Sequence, residues 1–202
     1  AYFWFGIWIL YYLRFTNYRG VGIIEVAAML TAVTLEIPTG AFADLIGKKK
    51  TLLLAFLFTF AGGIIAALAQ NFNYLLISTL VGAAGGALRS GTNDAFVYDS
   101  LKQIKQENTY DNFLARLNKY GLITMAAASV LGGFLYTIDP RLPFLLTAIF
   151  ALGAFTISLF FEEPYVDSEK FSLKTYFKQN LEGFKQLFKG QPDMTNILKL
   201  LI

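Results

Sequence analysis

Twenty consecutive residues, Thr51 to Gln70, carry no charge at all. A helix needs about 20 mostly apolar residues to cross a bilayer core of roughly 30 Å, so this run alone points to a membrane span. It is not isolated. Apolar runs also extend from about Val21 to Phe42, from Tyr74 through Arg89 and Asp94 to Leu101, from Tyr120 to Tyr136, and from Leu142 to Phe161. The opening run, Ala1 to Leu13, gives only about 20 Å of helix at 1.5 Å per residue. It lacks the basic start and small-residue cleavage site of a signal peptide, and is read as a truncated span. After a polar stretch from Glu162 to Asn196, Ile197 to Ile202 reads as the start of a seventh span. The expected fold is an all-α, polytopic bundle of six transmembrane helices over residues 1–161. A linker over 162–196 and the opening of another helix over 197–202 follow. With both ends inside apolar runs, the chain is expected to be part of a longer one.

Composition supports this reading. Charged residues make up 15% of the chain and apolar residues 55%, whereas a soluble domain carries roughly 25% charged residues. Too little charge remains to cover a soluble surface, which excludes a water-soluble enzyme or nucleic-acid binder. Cysteine and histidine are both absent. That removes disulfides, thiolate chemistry, histidine-based zinc sites and histidine-dependent triads.

The net charge of +3 is explained by topology. Alternate loops divide the basic residues unevenly. One set holds Lys48, Lys49, Lys50, Lys102, Lys105, Arg116, Lys119, Lys170, Lys174, Lys178, Lys185 and Lys189; the other holds Arg14, Arg19 and Arg141. Positive residues accumulate in cytoplasmic loops, so the first set is assigned to the cytoplasm. The expected location is the plasma membrane, multi-pass, with no nucleic-acid partner. Spans three and six are the cleanest, while two and four hold ionisable groups. This suggests a repeat of three helices whose third member faces lipid, a plan found in secondary transporters.

The most informative stretch is Gly40-Ala41-Phe42-Ala43-Asp44-Leu45-Ile46-Gly47-Lys48-Lys49-Lys50, between spans two and three. Gly40 and Gly47 allow close approach and a sharp turn. Asp44 is read as lying just before a helix start, where a carboxylate is favoured by the free amides and the dipole. The lysines fall at headgroup level, as in any positive-inside turn.

Taken whole, this stretch resembles the signature loop of the major facilitator superfamily, Gly-x-x-x-Asp-[Arg/Lys]-x-Gly-[Arg/Lys]-[Arg/Lys]. Gly40, Asp44, Gly47, Lys48 and Lys49 match it, and Leu45 departs from it. Glu36-Ile37-Pro38-Thr39-Gly40, Arg89-Ser90-Gly91-Thr92-Asn93-Asp94-Ala95 and Tyr98-Asp99-Ser100-Leu101 are also similar to members of that superfamily. The resemblance implies two six-helix bundles joined by a linker, with this chain as the first bundle and a second six-helix half as its partner. It further implies that Asp44 and Lys48 act in a gate, with Asp99 a partner for them at the end of span four. Losing the basic residue at Leu45 breaks any charge relay through that position.

A charge near mid-bilayer costs roughly 2.5–3.5 kcal/mol even on lenient scales, and so marks function by default. Glu36 shares a four-residue stripe with Ala28, Ala32 and Gly40; Gly82, Gly86, Ser90 and Asp94 form a similar stripe on span four. Small residues at that spacing mark a packing face. Arg89 has only Thr92 and Asn93 three and four residues on, so its partner is expected from another helix, with Glu36 and Asp94 as candidates. Glu36 and Arg89 are assigned to the cytoplasmic half of a path or to its closure. The competing reading is a static ion pair. Glu25, near the outer end of span two, serves either an outer gate or simple packing. In span five, Gly121, Ser129, Gly132 and Gly133 suggest close packing. Val130-Leu131-Gly132-Gly133 lacks the proline of the Gly-Pro-x-x-Gly-Gly element usual in drug–proton antiporters of that superfamily.

Beyond the spans, Leu173, Phe177, Leu181, Phe184 and Phe188 form an apolar stripe with lysines off it, an amphipathic helix suited to the headgroup layer. Three other classes fail. Gly40 and Gly47 are too far apart for a phosphate-binding loop, and Lys49 stands where a hydroxyl is needed. Tyr98-Asp99 matches only half of an intramembrane protease signature. No selectivity element of a channel is visible. The function expected from the resemblance is alternating-access transport of a small organic solute, with a proton as candidate coupling ion, export favoured, and no cofactor. Trp4, Trp8, Tyr11 and Tyr12 from span one and Arg89 from span four are assigned to its site. The alternative is a non-transporting receptor or scaffold that keeps the same fold.

Overall fold

The structure, a computed structural model, describes residues 2–164, the side chains of residues 37, 38, 41 and 45 excepted. The amphipathic stripe and the seventh span expected beyond this point lie outside the described residues. Six α-helices follow in order: α1 (Trp8–Tyr12), α2 (Tyr18–Ile46), α3 (Lys48–Ala67), α4 (Phe72–Gln103), α5 (Tyr110–Ile138) and α6 (Leu142–Ser158). A 3-10 turn, Glu107–Thr109, precedes α5. The stretches Tyr18–Glu36, Lys48–Ala67 and Glu107–Ile138 are long and apolar enough to cross a membrane, and α6 is a shorter apolar helix.

Local chemistry sets the boundaries. Asn17 caps α2 by accepting from the Gly20 amide at 3.0 Å. Asn71 caps α4 by accepting from the amides of Asn73 and Tyr74. Each side-chain oxygen serves amides that a helix start leaves free. Pro143 sits in the first turn of α6, where its missing N–H costs nothing. Between α2 and α3 stands a single residue, Gly47.

Two expectations are corrected. The first run is not helical throughout: residues 3–7 form turns, and only Trp8–Tyr12 is α-helix. The Phe3 amide donates to Thr147 Oγ1 on α6 at 3.0 Å, and the Ile7 amide reaches back only three residues to Trp4. Second, the fifth helix begins at Tyr110 rather than Tyr120. Apolarity marks where a helix meets lipid; the polar turn bearing Asp111, Arg116 and Lys119 continues the same helix, with Asp111 favoured in its first turn.

α3 packs on α4 and α6, and α2 packs on α4. Glycines permit the close crossings. A Cβ on Gly62 would stand 3.1 Å from the Ser78 carbonyl of α4, and one on Gly63 3.0 Å from Ala148 Cβ of α6. The main buried cluster gathers Ile7, Tyr11, Tyr12, Val21, Ile24, Ala66, Ala67, Leu75 and Phe144. It lies at the end of the bundle marked by Asn71. The opposite end is marked by the Gly47 turn.

Candidate functional site

The Gly47 turn is built from two helix ends and closed by a third element. The Gly47 amide donates to the Ala43 carbonyl at 3.0 Å, finishing α2, and the Gly47 carbonyl accepts from the Thr51 amide, starting α3. Gly47 has φ +99° and ψ 147°, a region essentially restricted to glycine. Its missing side chain matters as well, since a Cβ there would lie 2.9 Å from Glu163 Oε2.

Glu163, five residues beyond α6, accepts from the Lys48 amide (2.6 Å) and the Lys49 amide (2.9 Å). These are free donors at the positive end of α3. In return, Lys49 Nζ donates to the Leu159 carbonyl (2.8 Å) at the C-terminal end of α6. Phe161 stacks on Phe96 of α4, with centroids 5.3 Å apart. Lys48 Nζ donates to Asp99 of α4, and both side chains are largely buried, at 14% and 11% exposure. Lys50 is exposed.

Asp44 does not start a helix. It lies in the last turn of α2, is exposed, and makes no ion pair among the described residues. The amides expected to suit it are taken by Glu163, because the chain turns at Gly47 and not at Asp44. Gly40 is half-buried on α2 beside Thr39, whose hydroxyl donates to the Ala87 carbonyl of α4 (3.2 Å).

Arg89 is half-buried and, among the described residues, pairs with neither Glu36 nor Asp94. Its guanidinium carbon lies 5.5 Å from the centre of the Tyr2 ring, within cation–π range. Around it Tyr2, Phe56, Thr59, Thr147 and Phe150 line a cleft of about 60 Å³. Glu25, Glu36 and Asp94 are all exposed on the bundle.

The two small-residue stripes are used only in part: the Gly82 backbone lies at the α3 crossing, 3.4 Å from where a Cβ on Gly62 would stand, while Glu36, Ser90 and Asp94 are exposed. A Cβ on Gly82 or Gly86 would meet nothing within 4 Å, whereas one on Gly85 would meet the Ala55 carbonyl and Phe58 Cβ at 3.0 Å. Thus α4 packs through Gly85 and its neighbours, leaving Ser90 and Asp94 on an open face. On α2 the buried positions are Val21, Ile24, Thr39 and Ala43, while Glu36 is exposed. Small residues at fourfold spacing allow approach without dictating which helix uses it.

The span-one aromatics are packed together. Tyr11 donates to the Ala66 carbonyl (2.7 Å) and Tyr12 shares a hydrogen bond with Thr79 (2.7 Å). Trp4 stacks on Phe144 at 6.3 Å, and Trp8 meets Tyr12 edge-on at 5.6 Å. Sequence reading missed Glu163 and Tyr2. The signal for Glu163 was Glu162-Glu163-Pro164, an acidic pair where a proline halts the chain just past an apolar helix.

The model of the Major Facilitator Superfamily matches residues 1–201. The chain belongs to this family. It is accordingly a multi-pass membrane protein, and its helices form a bundle of the superfamily type. YxaM, an uncharacterized MFS-type transporter of Bacillus subtilis (strain 168), is 22% identical over 162 residues, 79% of this chain and 40% of that protein. Multidrug resistance protein 1 of the same organism is 25% identical over 169 residues, 83% of this chain and 41% of that protein. Vacuolar basic amino acid transporter 5 of Saccharomyces cerevisiae is 36% identical over 74 residues, 37% of this chain and 13% of that protein. The chain therefore spans about two fifths of the length of the two bacterial relatives.

Proposed function

We propose that this chain is the N-terminal bundle of a secondary transporter that moves small organic solutes by alternating access. Its transport chemistry makes and breaks no covalent bond. The bundle rocks against a second six-helix half around a midplane site, and the Gly47 turn belongs to the gate on the cytoplasmic side of the plasma membrane. The observation that carries this reading is the Lys48–Asp99 pair, which joins the family's signature turn to the end of α4. A largely buried ion pair is costly to form and strongly destabilising to break from one side, which suits a contact whose making and breaking separates two states. Asp44, exposed beside it, is free to serve the second half.

Along the path, Arg89 is the embedded cation and Glu36, Asp94 and Glu25 are the exposed carboxylates open to solute contact. Trp4 and Trp8, both half-buried, are assigned to its wall, backed by the buried Tyr11 and Tyr12. The names of the relatives, a multidrug resistance protein and a basic amino acid transporter, favour amphiphilic or cationic solutes, export, and a proton as the coupled ion.

The test is flux through the full-length protein in proteoliposomes, using ethidium and labelled arginine, with and without a pH gradient. Gradient-dependent flux that Asp44→Asn abolishes, with insertion intact, is the expected result. Wild-type flux in both Glu36→Gln and Arg89→Lys overturns the path assignment. The second reading, a receptor or scaffold of the same fold, predicts no flux of either probe and indifference to Asp44→Asn.

A further inference from the structure

Glu163 is absent from the signature stretch, yet it holds that stretch in place. Its two carboxylate oxygens accept from successive amides, Lys48 and Lys49, at 2.6 and 2.9 Å. These are charge-assisted bonds at a helix N-terminus, stronger than neutral ones and aligned with the dipole. The same two residues project their side chains elsewhere: Lys48 to Asp99 of α4, Lys49 to the Leu159 carbonyl of α6. The backbone that presents both lysines is therefore clamped by one carboxylate. The clamp is reciprocal, because α6 caps α3 through Glu163 and α3 caps α6 through Lys49. The stack of Phe161 on Phe96 and the burial of Pro164 fasten the rest of the segment to the bundle. Gly47 completes the fit, since any side chain there would collide with the Glu163 carboxyl.

We propose that Glu163 is a positioning residue for the gate: by capping α3 it holds the Gly47 turn closed, with Lys48 facing Asp99, and so ties the start of the segment after α6 to the state of that turn. The proposal rests on the gate reading above for its functional meaning, while its structural content stands separately. Withdrawal of Glu163 frees the Lys48 and Lys49 amides at once. The turn is then no longer held in the conformation that aims Lys48 at Asp99.

The experiment uses the full-length protein in membrane vesicles, with any cysteines outside this chain replaced. This chain contributes none of its own. Ala43, buried in the last turn of α2 at 4% exposure, is changed to cysteine as a reporter of the turn, and its maleimide labelling rate is measured. Ala66→Cys, equally buried at the opposite end, is the control. Glu163→Ala is expected to raise labelling at position 43 about tenfold, the size of a lost hydrogen bond to a charged group, and to leave position 66 unchanged. Glu163→Asp, which keeps the carboxylate, is expected to restore part of the protection. If Glu163→Ala does not reach the membrane, Glu163→Gln keeps the side chain's length without its charge and gives a smaller rise in the same direction. Unchanged labelling at position 43, or an equal rise at both positions, overturns the proposal. An opened turn in a protein that carries neither ethidium nor arginine overturns the transport reading and leaves this one standing.

Discussion

Lys48 and Asp99, fifty-one residues apart, meet as an ion pair that joins the first turn of α3 to the last turns of α4. The contact is largely closed to solvent, so each charge depends on the other. Removing one alone leaves an uncompensated charge, and Asp99→Leu or Lys48→Met is expected to cost about 1–3 kcal/mol, below the figure for a fully buried pair because some hydration remains. The double variant Lys48→Met/Asp99→Leu replaces both by apolar groups and is expected to recover most of that loss. Chemical denaturation of the four proteins in detergent closes the cycle. A double variant as unstable as the sum of the singles would show that the two side chains do not interact.

Neighbouring glycines of α5 separate close packing from simple composition. A Cβ on Gly132 would overlap the Phe3 carbonyl oxygen, a backbone atom that cannot swing aside, while one on Gly133 would meet nothing within 4 Å. Gly132→Ala is therefore expected to destabilise the bundle by about 1–3 kcal/mol through overpacking. Gly133→Ala is expected to be neutral or slightly stabilising, since alanine is the better helix former. Thermal unfolding of the two variants side by side checks the contrast.

How much of this was legible in the sequence follows from what each signal measures. Hydropathy reports where a helix contacts lipid, so it located the long helices but not the polar turns with which α5 begins ahead of its apolar region. Spacing of small residues reports permission to approach. It marked Gly82 and Gly86 on α4, and only the structure shows that Gly85, off that stripe, lies tight against α3. The signature stretch was legible as a turn with a basic flank. Its partners were legible only in part: Asp99 was read from its place at the end of a span, whereas Glu163 lies more than a hundred residues away and nothing local announces that α6 ends beside α3. Arg89 shows the same limit. A charge in a span calls for a partner, and acids were the obvious candidates, but the Tyr2 ring occupies that place.

Tyr11 tests the end of the bundle marked by Asn71. It is buried, and its hydroxyl donates to the Ala66 carbonyl in the last turn of α3, which also accepts from the Ala69 amide. Tyr11→Phe keeps the ring against Phe144 and removes only that donor. The expected loss is about 1 kcal/mol, the net value of one such bond, since the Ala66 carbonyl keeps its Ala69 amide. Tyr11→Ala also empties the ring's place in the cluster and is expected to cost about 3–5 kcal/mol. If both variants unfold at the same temperature, the hydroxyl rather than the ring carries the contribution of this residue.

Gly47 combines two separable constraints, and a pair of variants divides them. Its backbone lies at φ +99°, where a residue with a Cβ is strained by about 1–3 kcal/mol. Its Cβ position is also occupied by the Glu163 carboxyl. Gly47→Ala is expected to suffer both penalties. In a Glu163→Ala background the steric conflict is gone and only the backbone strain remains, so Gly47→Ala should cost less there than in the wild type. Denaturation of the wild type, the two single variants and the double variant gives that difference directly. Equal costs in the two backgrounds would mean that the glycine answers to backbone geometry alone, with Glu163 free to shift aside.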